Sequence, residues 1–292
     1  MADAKSILSQ VKKLEISTRT LVDGLMAGNY HSVFKGSGIE FSDIREYVPG
    51  DDIRTIDWKV TARIDTPFVK EFIEERDVQV YVVLDVSGSA TFGNASSKLE
   101  QAMFVAASLM YSAMRSNDSV GLALATDTLE RFVRARKGQG HWHKMLGIMV
   151  SHSPKSRETD LGNALGKLAG VVKKRSIIFV ISDFYRAKGR DALRLLRRRH
   201  DLIAVQVEDE SELELPDIGF VEFEDPESGE QFLADTSSER FRVEYARLVL
   251  SEQRAFEQQL RQLKIDLVRL STARPYAESL SSFFRRRLRR RR

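Results

Sequence analysis

The 292-residue chain has no cysteine. That excludes disulfides, thiolate nucleophiles and zinc sites built on sulfur, and it fits a reducing compartment. Long apolar runs are missing too. The strongest, Val80–Val86 and Ile177–Ile181, are strand-length, far short of the ~18 residues a membrane helix needs. Met1–Leu14 mixes charge with apolar residues and has no signal-peptide core, so the expected setting is cytoplasmic. There is no internal repeat and no low-complexity linker apart from an arginine-rich end. A spread-out basic surface is also lacking, although the pI is about 9.2. Arg285–Arg292 holds seven of the 46 Lys and Arg residues, which leaves 39 to face 42 Asp and Glu. The body is therefore slightly acidic, and polyanion binding is to be sought in the tail alone.

The length suits one large domain or two modest ones, and 42% apolar residues suffice for a core. From Val78 onward, strand-like runs alternate with helical periods, the pattern of an α/β fold with a mainly parallel sheet. Val78–Val86 is nearly continuous and β-branched, as a central strand covered on both faces requires. Lys98–Arg115 is apolar around most of its circumference and predicts a heavily buried helix. Strands are expected at 120–125, 176–182, 202–207 and 265–270, with 128–133 as an edge hairpin partner. Helices are expected at 140–150, 161–172, 187–199 and 238–263. Asp225-Pro226-Glu227-Ser228-Gly229 separates two short apolar runs and predicts a β-hairpin inserted at about 211–236. The organisation read from this is an N-terminal strand- and loop-rich segment over 1–76 docking on the core, with an amphipathic opening helix near 4–14. An α/β domain spans 77–272 and an arginine-rich tail 273–292.

The strongest constellation is Asp85-Val86-Ser87-Gly88-Ser89, where the first central strand ends. Ligand crevices of open parallel sheets lie beyond the carboxyl ends of the strands. One carboxylate and two hydroxyls from adjacent turns form a compact set of hard oxygen donors for Mg²⁺ or Mn²⁺, cations that keep waters and leave positions open. Thr159, ahead of a helix, and Asp183, at the end of a later strand, are two further oxygen donors. Plain structural uses exist for each: Ser87, Ser89, Thr159 or Asp183 can cap a helix, and Thr126 competes with Thr159.

These residues resemble the metal-ion-dependent adhesion site of the von Willebrand factor A domain, a Rossmann-type fold. Its Asp-x-Ser-x-Ser, threonine and aspartate match Asp85, Ser87, Ser89, Thr159 and Asp183. Upstream, Gly36-Ser37-Gly38-Ile39-Glu40-Phe41, Arg45-Glu46-Tyr47, Pro49-Gly50-Asp51-Asp52-Ile53-Arg54, Ile56-Asp57-Trp58, Ala62-Arg63 and Val69-Lys70-Glu71 are similar to the signature of the bacterial family called domain of unknown function 58. The resemblance implies a non-catalytic, divalent-cation-dependent protein–protein interaction module, in which an acidic residue of a partner completes the coordination. By the same resemblance the partner is a MoxR-type AAA+ ATPase, with this chain as its adaptor or chaperone-like cofactor.

Other readings are weaker. Gly36-Ser37-Gly38 lacks the following Gly-Lys-Ser/Thr and helix of a phosphate loop. The carboxylates of the segment 40–57 alternate with Arg45, Arg54, Lys59 and Arg63, which favours ion pairs over acid–base chemistry. His141, His143 and His152 have no third ligand at a fixed offset and read as surface residues. A haloacid-dehalogenase-like phosphatase would use Asp85 as nucleophile, but needs a second carboxylate where Ser87 stands. Tyr276–Leu288 combines apolar residues with arginine like an interfacial helix end. Arg285–Arg292 is thus expected to make at most a loose contact with an anionic membrane, peripheral at its inner face, or with RNA, the alternative being a solvated, disordered end.

Overall fold

A computed structural model describes residues 4–26, 30, 33, 40–64, 66–73, 78–88, 98–184, 189–213, 215–224 and 229–291. The chain divides into two compact units, residues 34–78 and the remainder.

The larger unit is α/β. Its six-stranded sheet has the order β10-β7-β6-β3-β4-β5. The strands are β3 (Gln79–Asp85), β4 (Ser119–Ala125), β5 (Leu129–Arg136), β6 (Ser176–Ser182), β7 (Asp201–Glu208) and β10 (Asp266–Ser271). All neighbours are parallel except β4 and β5. β4 and β6 are buried along their whole length, which is why their sequences read as continuous apolar runs instead of alternating ones. β5 lies at an edge and carries Arg131, Arg134 and Arg136, which discourage further strand pairing.

One face of the sheet packs against the helices Leu161–Val171, Arg190–Arg199 and Glu239–Leu263, through Leu161, Leu165, Leu168, Leu193, Leu196 and Leu260 among others. The helix Lys98–Arg115 contacts β3, β4, β6 and β7, and is itself covered by Ala4–Leu21 and Gln139–Ser151. The opening helix thus groups with the α/β unit and runs to Leu21, well past the expected end near residue 14. Lys98–Arg115 ends where Asn117 turns left-handed at φ 60°. The long helix is capped at both ends. Ser238 Oγ accepts from the Phe241 amide, and the left-handed Lys264 donates its own amide to the last turn. Of that helix Leu260 is buried, whereas Leu248 is 52% exposed.

The inserted hairpin is present as β8 (Phe220–Glu224) and β9 (Gln231–Asp235). The C-terminal stretch is not an appendage. It forms the helix Tyr276–Arg291, whose Ala277, Leu280, Phe283 and Phe284 are buried, and Tyr30 meets Phe284 edge-on at 5.9 Å. The apolar residues read as an interfacial helix end are therefore spent on the protein's own core. Among the described residues no helix is long and apolar enough to cross a membrane.

In the smaller unit, β1 (Glu40–Glu46) pairs antiparallel with β2 (Phe68–Ile73), and the helix Trp58–Ile64 lies between them in sequence. The interleaved charges divide their work. Arg45 grips Asp51 with two bonds of 2.7 and 2.8 Å. Asp52 and Asp57 instead accept backbone amides at the starts of the two helical turns. Ion pairing is thus only part of what orders this segment.

Candidate functional site

β3 and β6 are adjacent, yet the chain leaves β3 for β4 on one side and β6 for β7 on the other. The crevice outside the carboxyl ends of such a strand pair is where open α/β sheets bind ligands. Asp85 ends β3 and Ser182 ends β6, so the topology brings the first motif residue and the neighbour of Asp183 to this point.

Asp85 is 2% exposed. Its Oδ1 accepts from the Ser87 amide at 3.0 Å and from Ser87 Oγ at 2.7 Å, and its Oδ2 accepts from Ser182 Oγ at 2.6 Å. Among the described residues, hydroxyls and an amide face its two oxygens. Burial, reinforced by the charge of Asp183, pushes the carboxyl up to about 6, against these hydrogen bonds. The Ser87 hydroxyl donates to Asp85; Ser89 lies outside the described residues.

The loop bearing Thr159 is tied on both sides. The Gly88 amide donates to the Arg157 carbonyl at 2.8 Å, and the Asp160 amide to the Thr126 carbonyl at 3.3 Å. The cap of the following helix is Asp160, whose Oδ1 accepts from the Asn163 amide at 3.0 Å, so Thr159 is not the cap. Its competitor Thr126 is fully buried, with its hydroxyl 2.8 Å from Glu130 Oε1. Glu130 also accepts from the Lys155 amide at 2.9 Å and meets His152 Nε2 at 2.8 Å. These bonds hold its carboxyl below the usual range despite burial. Glu130 is thus the buried post around which the Thr159 loop is wound. The three histidines are only half exposed and do not converge: His141 meets the Val120 carbonyl, His143 meets Glu15 and His152 meets Glu130.

The next described helix after Asp183 begins at Arg190, with Gly189 as its cap. Asp183 Oδ2 accepts from Lys98 Nζ at 2.9 Å, and the same ammonium reaches Glu212 Oε1 at 2.6 Å. Burial pulls the Lys98 ammonium down, but Asp183 and Glu212 together outweigh it and the net shift is upward. Sequence reading missed Lys98, Ser182 and Glu212. The available signal was a lysine opening an otherwise apolar helix, where the positive end of the helix dipole disfavours a cation. Among the described residues, no three His, Asp or Glu side chains form a ready metal cluster.

The family described as protein of unknown function DUF58 matches residues 43–255. The chain belongs to this family. Over 287 residues it is 30% identical to uncharacterized protein Rv1480 of Mycobacterium tuberculosis, covering 96% of this chain and 90% of that protein. A shorter match to YeaD of Bacillus subtilis, 28% over 111 residues, covers 38% of this chain and 26% of YeaD. Among solved structures, BatB of Bacteroides thetaiotaomicron aligns with 73% of this chain and 99% of its own, at 17% identity and a TM-score of 0.47. An aerotolerance-related membrane protein of Bacteroides fragilis aligns with a TM-score of 0.48 at the same identity.

Proposed function

We propose that this DUF58 protein is a non-catalytic, divalent-cation-dependent interaction module of von Willebrand factor A type. Mg²⁺ or Mn²⁺ would be held by Asp85, Ser87, Ser89, Thr159 and Asp183, directly or through water. A bound cation of this kind supplies an open position for the carboxylate of a partner. By family resemblance the partner is a MoxR-type AAA+ ATPase, which this chain serves as adaptor or chaperone-like cofactor.

The observation that supports this reading is Asp85. A buried carboxylate at the strand switch point, faced among the described residues by hydroxyl and amide donors and raised to about 6, is in an environment that a hard cation would relieve. Thr159 fits, because its loop is bonded to Gly88 and leaves the capping to Asp160. Asp183 fits less directly, since Lys98 already holds one of its oxygens, so water-mediated contact suits it better. Ser87 in place of a second catalytic carboxylate favours binding over phosphoryl transfer.

The test is affinity purification with wild type and Asp85→Ala side by side, each with Mg²⁺ and with EDTA. Capture of an AAA+ ATPase by wild type that is lost in EDTA and in Asp85→Ala is the expected result. Equal capture in all four arms would reject the cation bridge, and Asp85-dependent turnover of a phosphomonoester would favour the phosphatase.

A further inference from the structure

Lys98 sits where neither its helix nor its burial favours a charge. It opens the helix Lys98–Arg115, at the positive end of the helix dipole, and its side chain is only 3% exposed. A buried ammonium persists only where charged partners repay its lost hydration. Two carboxylates meet Lys98 among the described residues, and they differ in kind. Asp183 follows the last residue of β6 and is 7% exposed, a fixed part of the sheet edge. Glu212 comes from the short helix Glu210–Leu213, in the connection between β7 and β8, and is 32% exposed. Glu212 is the more exposed of the two carboxylates, so it is the one that an acidic side chain of another protein could replace. The segment is held by further bonds: the Glu212 carbonyl accepts from Tyr245 Oη at 2.9 Å, its Oε2 from the Asp209 amide at 3.4 Å, and Glu210 Oε1 from Ser271 Oγ at 3.3 Å.

We infer that Glu212 is a resident stand-in for a partner's acidic side chain: it occupies Lys98 beside the Asp85 crevice until a carboxylate from outside replaces it. Lys98 stays on Asp183 throughout and supplies a fixed positive contact for the incoming acid. The exchange trades one carboxylate for another on the same ammonium, so no buried charge is left unpaired at either end. The inference rests on the proposed function for the acidic partner, but not for the cation, since the ammonium is built into the chain.

The consequence is a self-imposed loss of affinity. A site occupied by its own carboxylate nine-tenths of the time binds an outside one about tenfold more weakly than the open site does. The full-length ¹⁵N-labelled protein can be titrated with N-acetyl-glutamate α-methylamide, reading the Lys98 ammonium resonance, with the glutamine analogue as neutral control. Glu212→Gln keeps Lys98 paired with Asp183 and should fold as wild type does, which a thermal melt checks. It should lower the half-saturating concentration roughly tenfold, with Mg²⁺ and with EDTA alike, while the neutral analogue has no effect. Lys98→Arg, in which the ammonium resonance is missing, assigns it. An unchanged or weakened titration in Glu212→Gln overturns the inference. A metal-induced rise in melting temperature that needs Asp85, alongside such an unchanged titration, rejects the stand-in and leaves the cation reading intact. Tightening in Glu212→Gln without any metal effect on wild type does the reverse.

Discussion

At Asp85 the fold holds a carboxyl group where its charge costs free energy. The group is raised to about 6 from an ordinary 3.8, so between those values the folded protein binds more protons than the unfolded one. Stability of the metal-free protein should therefore fall as pH rises from about 4 to 6, and the penalty is fully present at pH 7. Asp85→Asn removes the charge and keeps acceptor capacity for Ser87, so it should stabilise the metal-free protein at pH 7 by about 1 to 3 kcal/mol. Urea titration at pH 4.5 and pH 7.5 checks this, and a destabilised variant at pH 7.5 would contradict it. Wild type, but not the variant, should then gain stability from Mg²⁺ or Mn²⁺. Lys98 behaves oppositely. Lys98→Met strands Asp183 and Glu212 without their shared ammonium and should cost about 3 to 5 kcal/mol by the same titration. This contrast also marks what sequence could reveal. Asp85 and Ser87 announce themselves because they are two residues apart at a strand end. Lys98 lies 85 residues from Asp183 and 114 from Glu212, and nothing local to it predicts either meeting.

Elements were legible where one pattern ran long enough. β6 fell at 176–182 and the long helix at 239–263, because a continuous β-branched run and a sustained helical period each fit one structure. Close approaches between elements carry no such pattern. The helix Leu161–Val171, which follows the Thr159 loop, meets Gly189 at the start of Arg190–Arg199 through Gly162. A Cβ on Gly162 would stand 3.0 Å from the Gly189 Cα, and a Cβ on Gly189, at φ +132°, would stand 2.7 Å from the Gly162 Cα. Gly162→Ala should therefore cost about 1 to 3 kcal/mol by wedging the two helices apart, and should weaken metal stabilisation by shifting Thr159. A thermal melt with and without Mg²⁺ reads both effects. His200 follows the end of Arg190–Arg199, and its Nδ1 accepts the Ser176 amide at 3.3 Å. Burial first, and then Arg199, pulls its pKa below the ordinary 6.5. The unfolded chain thus takes up the proton first, and stability is lost as pH falls below about 6.5. His200→Gln can still accept from the Ser176 amide but cannot be protonated. Its stability relative to wild type should rise between pH 7.5 and 5.5, measured by urea midpoints, and a constant difference would remove His200 from the acid response.

For the whole molecule, the pI of 9.2 is a property of one docked helix. Arg287 is 9% exposed and joins Asp201 and Asp266, the first residues of β7 and β10, so it fastens the helix to the amino ends of the strands. Arg285, Arg286 and Arg289 are exposed. Deleting the arginines together would confuse these roles, because it removes the fastening along with the exposed charge. Two variants separate them. Arg287→Ala removes the buried guanidinium that Asp201 and Asp266 share and should cost about 1.5 to 3 kcal/mol of stability, with little change in vesicle binding. Arg285→Ala, Arg286→Ala and Arg289→Ala combined should leave the melting temperature unchanged. If this face contacts an anionic bilayer, each lost base removes roughly 1 kcal/mol, so the triple variant should bind phosphatidylserine vesicles more than 100-fold more weakly at low salt. The helix has already buried Leu280, Phe283 and Phe284 in the fold, so no apolar insertion is left to compensate. Binding by wild type should for that reason disappear as salt is raised. Vesicle binding that survives both high salt and the triple substitution would exclude this helix as a membrane contact, and the same titration with single-stranded RNA tests the other polyanion.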